Sequence, residues 1–126
     1  DVVLYTVSLA DELVIVATPE PTSLTDAYAT IKGLASSQPL RPTHLLVNQA
    51  QRAGEGRVIR HQLQQVIDRF VNAGLELPLQ VDLLGEVPLD PAVRDSVLRR
   101  ELLLEFAPGT PAAQAIVAAA ARLIGR

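Results

Sequence analysis

Short apolar runs alternating with longer stretches of helical periodicity constrain this chain more than any other feature. The runs are Leu13–Ala17 (LVIVA), Leu45–Val47 (LLV, ending at Asn48) and Val81–Leu84 (VDLL, ending at Gly85). Their length and β-branched content predict strands. The first carries no polar alternation, the pattern of a strand covered on both faces.

The intervening segments read as helices. After Pro19 and Pro21 close the first extended run, Ser23 and Asp26 form a plausible capping pair. Leu24, Ala27, Tyr28, Ile31, Leu34 and Ala35 then recur at the period of a one-faced helix. From Glu55 to Asn72 the same period places Ile59, Leu63, Val66 or Ile67, and Phe70 inward, and Ala73-Gly74 closes the segment. Asp90 before Pro91 predicts a capped short helix, and Thr110 before Pro111 a last one through about Ile124. Residues 99–108 fit either a helical turn or a loop, and Gln51–Arg57 (QRAGEGR) reads as a flexible polar loop.

Strands that alternate with helices of this length build βαβ units, hence parallel strands with right-handed crossovers. The expected fold is α/β, a partial doubly wound parallel sheet of about three strands with flanking helices. If consecutive strands are neighbours, Leu13–Ala17 lies at an edge, where so apolar a strand invites pairing with other chains. No charge or proline interrupts it. The expectation is therefore that further strands belong beside it, upstream of Asp1. The start at Asp1, the absence of Met, and an opening DVVLYTVSLA that resembles the end of an amphipathic helix agree with that. Residues 1–126 are accordingly read as one partial domain.

Composition narrows the chemistry. Without Cys there is no disulfide framework, thiolate nucleophile or Cys-ligated metal, and His44 and His61 are too few for a histidine-rich metal site. A net charge of −3 and 3% aromatic residues argue against general nucleic-acid binding. No run reaches the roughly 18 apolar residues of a membrane span. His61 shares a helix surface with Arg57 and Arg60 and reads as a solvated face; His44 reads as an ordinary position. Neither a G-x-x-x-x-G-K-[ST] loop, a G-x-S-x-G elbow nor an H-E-x-x-H helix occurs.

Open α/β sheets bind ligands outside the carboxyl ends of their strands. Here those ends are Thr18-Pro19-Glu20, Asn48-Gln49 and Glu86-Val87-Pro88-Leu89-Asp90. Asn48 offers both a donor and an acceptor to the edge of a base. The backbone of Val87, Pro88 and Leu89 offers a flat apolar wall. Alternatively, Asn48 is a turn former and Asp90 a helix cap.

In order, ADELVIVATPEPTSLTDAYATIKGL (Ala10 to Leu34), LLVNQAQRAGEGR (Leu45 to Arg57), QLQQVIDRFV (Gln62 to Val71) and LLGEVPLDPAVRDSV (Leu83 to Val97) resemble the C-terminal half of MinD-like, deviant-Walker P-loop ATPases. The EGR phrase, the long Gln-rich helix and LGEVPLDPAVR are most similar to the flagellar-number regulator branch, the FlhG/FleN type, while TPEPTS resembles the MinD and flagellar group as a whole. The resemblance runs from about Val2 to Leu123. The family's K-G-G-x-G-K-[ST] loop, switch I Asp and Walker-B phrase do not occur in these residues, nor does a lysine-rich membrane helix.

The resemblance implies an adenine-side pocket in which Asn48 hydrogen-bonds the base, Gln49 follows it, and the loop of Val87, Pro88, Leu89 and Asp90 lines the wall with Val93 packing nearby. It implies ATP or ADP with Mg in the intact protein and none bound to this chain, and an ATPase parent whose isolated C-terminal part is inactive. Implied partners are a second copy (as a homodimer or by strand exchange), the missing N-terminal half, flagellar assembly proteins and a signal-recognition-type GTPase. Nucleic acid is not among them, and any membrane contact is indirect or made by other segments of a cytoplasmic protein. The alternative is a non-enzymatic docking module with no nucleotide role, its partner contacts carried by the helices after Pro21 and Glu55.

Overall fold

A computed structural model describes residues 2–125. Its elements run α1 (Val2–Ser8), β1 (Leu13–Ala17), α2 (Pro21–Ser37), β2 (Thr43–Ala50), α3 (Glu55–Phe70), a 3-10 turn (Asn72–Gly74), β3 (Asp82–Pro88), α4 (Pro91–Arg99), α5 (Leu103–Phe106) and α6 (Pro111–Ile124). Asp1, included in the expected opening helix, lies outside the described residues. The sheet is parallel with the order β1-β2-β3, so β1 is an edge strand as the connectivity predicts.

Helices α2 and α3 cover one face of the sheet. Ala27 and Ile31 from α2 and Ile59, Leu63 and Ile67 from α3 close over Ala17, Leu45 and Val47. Two inward assignments change. Phe70 is 55% exposed and meets Tyr28 edge-on, while Ile67 in the same turn is fully buried. Gln64 takes the buried place instead: its amide donates to the Leu79 carbonyl and accepts from the Val81 N–H, so the polar group is fully paired as burial demands. Arg60 likewise leaves the solvated face to donate to the Val81 carbonyl.

The second face is covered unevenly. Helix α6 packs mainly on β3, with Ala112, Ala113 and Ala119 buried. Small side chains let its backbone approach the strand closely. Beyond α6, Val14 is 41% and Val16 58% exposed, so within this chain β1 is covered on one face, not both. Leu13, Ile15 and Ala17 point to α2 while Val14 and Val16 point to open space, as strand alternation requires.

Local signals also move. Helix α2 starts at Pro21, and Ser23 sits inside its first turn, where its hydroxyl accepts the Thr18 N–H. Thr110 makes no side-chain cap of α6. Residues 103–106 form a single helical turn, preceded by Arg100 in the left-handed region.

Candidate functional site

The carboxyl ends of β2 and β3 meet in an open groove of about 620 Å³ lined by Ala50, Gln51, Arg52, Ala53, Glu86, Pro88 and Leu89. Both strands run further than their apolar runs predict: Asn48 and Gln49 belong to β2, and Glu86, Val87 and Pro88 to β3. Val47 pairs with Glu86 and Ala50 with Pro88, so Asn48 and Gln49 oppose Val87 alone. That extra residue is a β-bulge, and Gln49 absorbs it at φ 58. The ladder closes again where the Leu89 N–H donates to the Ala50 carbonyl at 2.8 Å.

A bulge re-aims side chains at the end of a strand. Asn48 is half-buried and Gln49 exposed. Neither amide finds a hydrogen-bond partner among the described residues, although every fully buried side-chain polar atom there does. Asn48 and Gln49 adjoin the groove through Ala50 without lining it. Pro88 and the 63% exposed Leu89 supply an apolar side to that groove, whereas Val87 is buried and does not line it. Val93 is 38% exposed in the first turn of α4 and does not line the groove.

Asp90 has another task. One carboxylate oxygen accepts the Ala92 N–H at the start of α4 and the other the Ala112 N–H at the start of α6, each at 3.0 Å. It caps two helices at once. Those bonds, that of Ala112 first, hold its carboxyl below the usual carboxylate range. Asp90 thus positions the wall, with both carboxylate oxygens engaged by helix N–H groups.

The opposite wall was expected to be a flexible loop and is pinned. Gly54 turns at φ 88 into α3. The Glu86 carboxylate then accepts the Gly54 N–H at 3.1 Å and the Gly56 N–H at 2.8 Å, while Glu55 accepts the Gln51 N–H at 2.8 Å. An anionic cap at a helix N-terminus meets unpaired donors and the positive end of the helix dipole. Gly56 lets the capping chain approach, since a Cβ there would lie 2.9 Å from Glu86 Oε1 and 3.2 Å from its Cβ. Sequence reasoning missed Glu86 as an organiser of the site. The Gly-x-Gly spacing of Gly54 and Gly56 is the signal that could have found it.

A second open groove, about 990 Å³, lies between the starts of α2 and α3, with Leu24, Val58, Ile59 and Val66 among its lining. Among the described residues no cluster of His, Asp and Glu could hold a metal ion, and no helix is long and apolar enough to cross a membrane.

No family model matches the chain. It is 34% identical over 123 residues to the antiactivator FleN of Pseudomonas aeruginosa, a match covering 98% of this chain and 42% of FleN. It is 32% identical over 117 residues to the flagellum site-determining protein YlxH of Helicobacter pylori, covering 93% of this chain and 37% of YlxH. An uncharacterized ATP-binding protein of Methanocaldococcus jannaschii is 34% identical over 97% of this chain and 41% of its own length. The chain thus spans less than half the length of the curated relatives it matches. Among solved structures, the MinD cell division protein of Aquifex aeolicus superposes with a TM-score of 0.66 at 28% identity, over 95% of this chain and 46% of MinD. MinD of Pyrococcus horikoshii, solved with Mg-ADP, superposes with a TM-score of 0.62 at 21% identity, over 90% of this chain and 41% of that one, and shares the fold. The three parallel strands with flanking helices are those of a MinD-like P-loop NTPase.

Proposed function

We propose that this chain, which corresponds to the C-terminal part of a MinD-like protein of the FleN/FlhG type, supplies the adenine side of the nucleotide pocket in a cytoplasmic ATPase switch that regulates flagellar number and placement. The observation that carries the reading is the bulge at the end of β2, which leaves the half-buried Asn48 amide without a partner among the described residues, two positions before the Ala50 that lines the groove with Pro88 and Leu89. An amide can both donate to and accept from a base edge, and an exposed leucine and proline suit its face. Mg and the phosphates would be held by segments other than these residues.

The energetics set what this chain does alone. One or two net hydrogen bonds from Asn48 contribute about 1 kcal/mol each, whereas micromolar affinity needs about 8 kcal/mol. Backbone donors and lysines of a phosphate-binding loop contribute most of the difference, and no such motif occurs in these residues. The 126-residue chain is therefore expected neither to hold ATP tightly nor to hydrolyse it. Isothermal titration tests this: micromolar ATP affinity for the isolated chain refutes it. In a longer protein that contains the loop, Asn48→Ala is expected to weaken ATP about tenfold, the value of one to two such bonds. Unchanged affinity there would remove Asn48 from the pocket.

The open face and free edge of β1 support the companion reading that further strands of the parent lie beside it. A docking module without a nucleotide role is the second reading, favoured by the groove between α2 and α3 with its apolar floor. Substitution of Val58, 56% exposed on that groove, separates the two, because it should abolish partner capture without touching nucleotide affinity.

A further inference from the structure

The second edge of the sheet is closed at its two ends and open in its middle. Strand β3 has β2 on one side and no strand on the other among the described residues. An unpaired edge exposes a row of N–H and C=O groups, which proteins blunt with side chains, prolines and bulges. Just ahead of β3, helix α3 does this to Val81: its N–H donates to Gln64 Oε1 and its carbonyl accepts from Arg60 Nε, each at 2.8 Å. At the far end Pro88 has no N–H to offer. Strand alternation turns the backbone groups of Leu83 the same way as those of Val81. From the other end, the Leu89 N–H pairs with Ala50, so Val87 faces β2 and Glu86 faces out. The register shift at Leu84 joins the two halves. The N–H and C=O groups of Leu83 and Glu86 thus form a short window, and among the described residues nothing outside the ladder bonds to them.

That window opens into a groove of about 540 Å³ between α3 and α6, with Leu83 and Gly85 at its floor. Gly85 adds no side chain, and a glycine within a strand suits the close approach of another backbone. Arg57 of α3 and Arg122 of α6 line the groove, one over each face of the sheet. Arg57 is exposed and makes no hydrogen bond or ion pair among the described residues. Arg122 is 56% exposed and comes no nearer than 3.6 Å to Asp82 Oδ1. The carboxylates nearby are committed: Glu86 accepts the Gly54 and Gly56 N–H groups, and Asp82 lies 3.1 Å from His44 Nδ1. With Arg60, three guanidinium groups border the window against these two carboxylates, so the edge is locally positive on a chain of net charge −3.

We propose that the free edge of β3 docks an extended segment of a partner protein that carries acidic side chains. Added as a further strand, the segment exchanges main-chain hydrogen bonds with Leu83 and Glu86. Its side chains alternate between the faces of the sheet. One carboxylate therefore meets Arg57 and another Arg122 only if an odd number of positions separates them. The blunted ends at Val81 and Pro88 keep the pairing short and the contact reversible.

Amide NMR of the labelled chain, titrated with short blocked valine–threonine peptides, tests this. One peptide carries two glutamates three positions apart, a second two glutamates two positions apart, and a third two glutamines three positions apart. The first is expected to bind at about millimolar concentration and to shift the Leu83, Gly85 and Glu86 amides. The other two should bind about tenfold more weakly, having lost a charge-assisted contact. Arg57→Gln and Arg122→Gln, both at exposed positions, should each weaken the first peptide about tenfold and leave the glutamine peptide unaffected. Methylating the backbone nitrogens of the first peptide removes its donors, keeps its charges, and should abolish binding. Equal affinity for the three peptides, binding undiminished by methylation, shifts confined to β1, or no shift at about ten millimolar peptide overturns the inference. So do Leu83 and Glu86 amides that move with chain concentration alone, which would put a second copy on the edge. The peptide series uses the unsubstituted chain and stands whether or not a variant folds.

Discussion

Replacing Gly56 with alanine tests the wall of the groove through two opposed effects. Glycine near a helix start costs at most about 1 kcal/mol relative to alanine, so propensity favours the substitution. Sterics oppose it. The new Cβ would lie 2.9 Å from Glu86 Oε1, 3.2 Å from Glu86 Cβ and 3.6 Å from Leu83 Cδ1. The Oε1 contact could yield by rotation. The Cβ contact cannot, because Glu86 is anchored in β3. Relief would pull the carboxylate off the Gly54 and Gly56 N–H groups and forfeit hydrogen bonds to a charged acceptor, worth about 1.5–3 kcal/mol each. Sterics win, and a net destabilisation of about 1–3 kcal/mol is expected, within the range for overpacking. For a domain of this size that lowers Tm by several degrees. Urea unfolding followed by circular dichroism reads it. The double-mutant cycle sharpens the test: with Glu86→Gly already present both close contacts are gone, and Gly56→Ala should become neutral or stabilising. A stabilising Gly56→Ala in the unsubstituted chain would refute the close-approach argument.

Acid unfolding should depend on Asp90. Its carboxyl is held below the usual range by the Ala112 and Ala92 N–H groups, so its contribution is present above the unfolded carboxylate range, near pH 4, and is lost as pH falls through the lower folded value. Asp90→Asn is therefore expected to flatten the acid limb of a Tm-against-pH curve, and an unchanged limb would count against the double cap. Leu63→Ala, at a site with 0% exposure between α3 and the sheet, should cost about 2–5 kcal/mol by chemical denaturation, a large share of an ordinary domain's stability. The bare edge of β1 predicts concentration-dependent association in sedimentation velocity, abolished by Val16→Lys; a monomer at every concentration would show the edge to be inert.

The broad layout of this protein was legible before any coordinates. Periodicity and apolar runs placed β1 at its observed bounds and the long helices to within a turn, because those signals are local. Strand ends were not legible. Asn48, Gln49 and Glu86 are polar and look like loop, yet ladder bonds from a neighbouring strand carry them on, and that partner is distant in sequence. The same limit explains the loop before α3: QRAGEGR is polar and glycine-rich by itself, and becomes rigid only because Glu86 arrives 30 residues later to cap it.

Sequence by itself determined the parallel α/β order, the edge position of LVIVA and the kinship with MinD-like proteins, all of which depend on residue type and spacing along the chain. Tertiary structure alone decided that Asp90 caps two helices, that Asn48 keeps an unspent amide on a bulge, and that His44 stands between Glu12 and Asp82. The Asp90 and His44 arrangements join polar groups far apart in sequence, and the Asn48 amide is left over by a register shift between β2 and β3. Their worth depends on burial and on who faces whom, which no periodicity encodes.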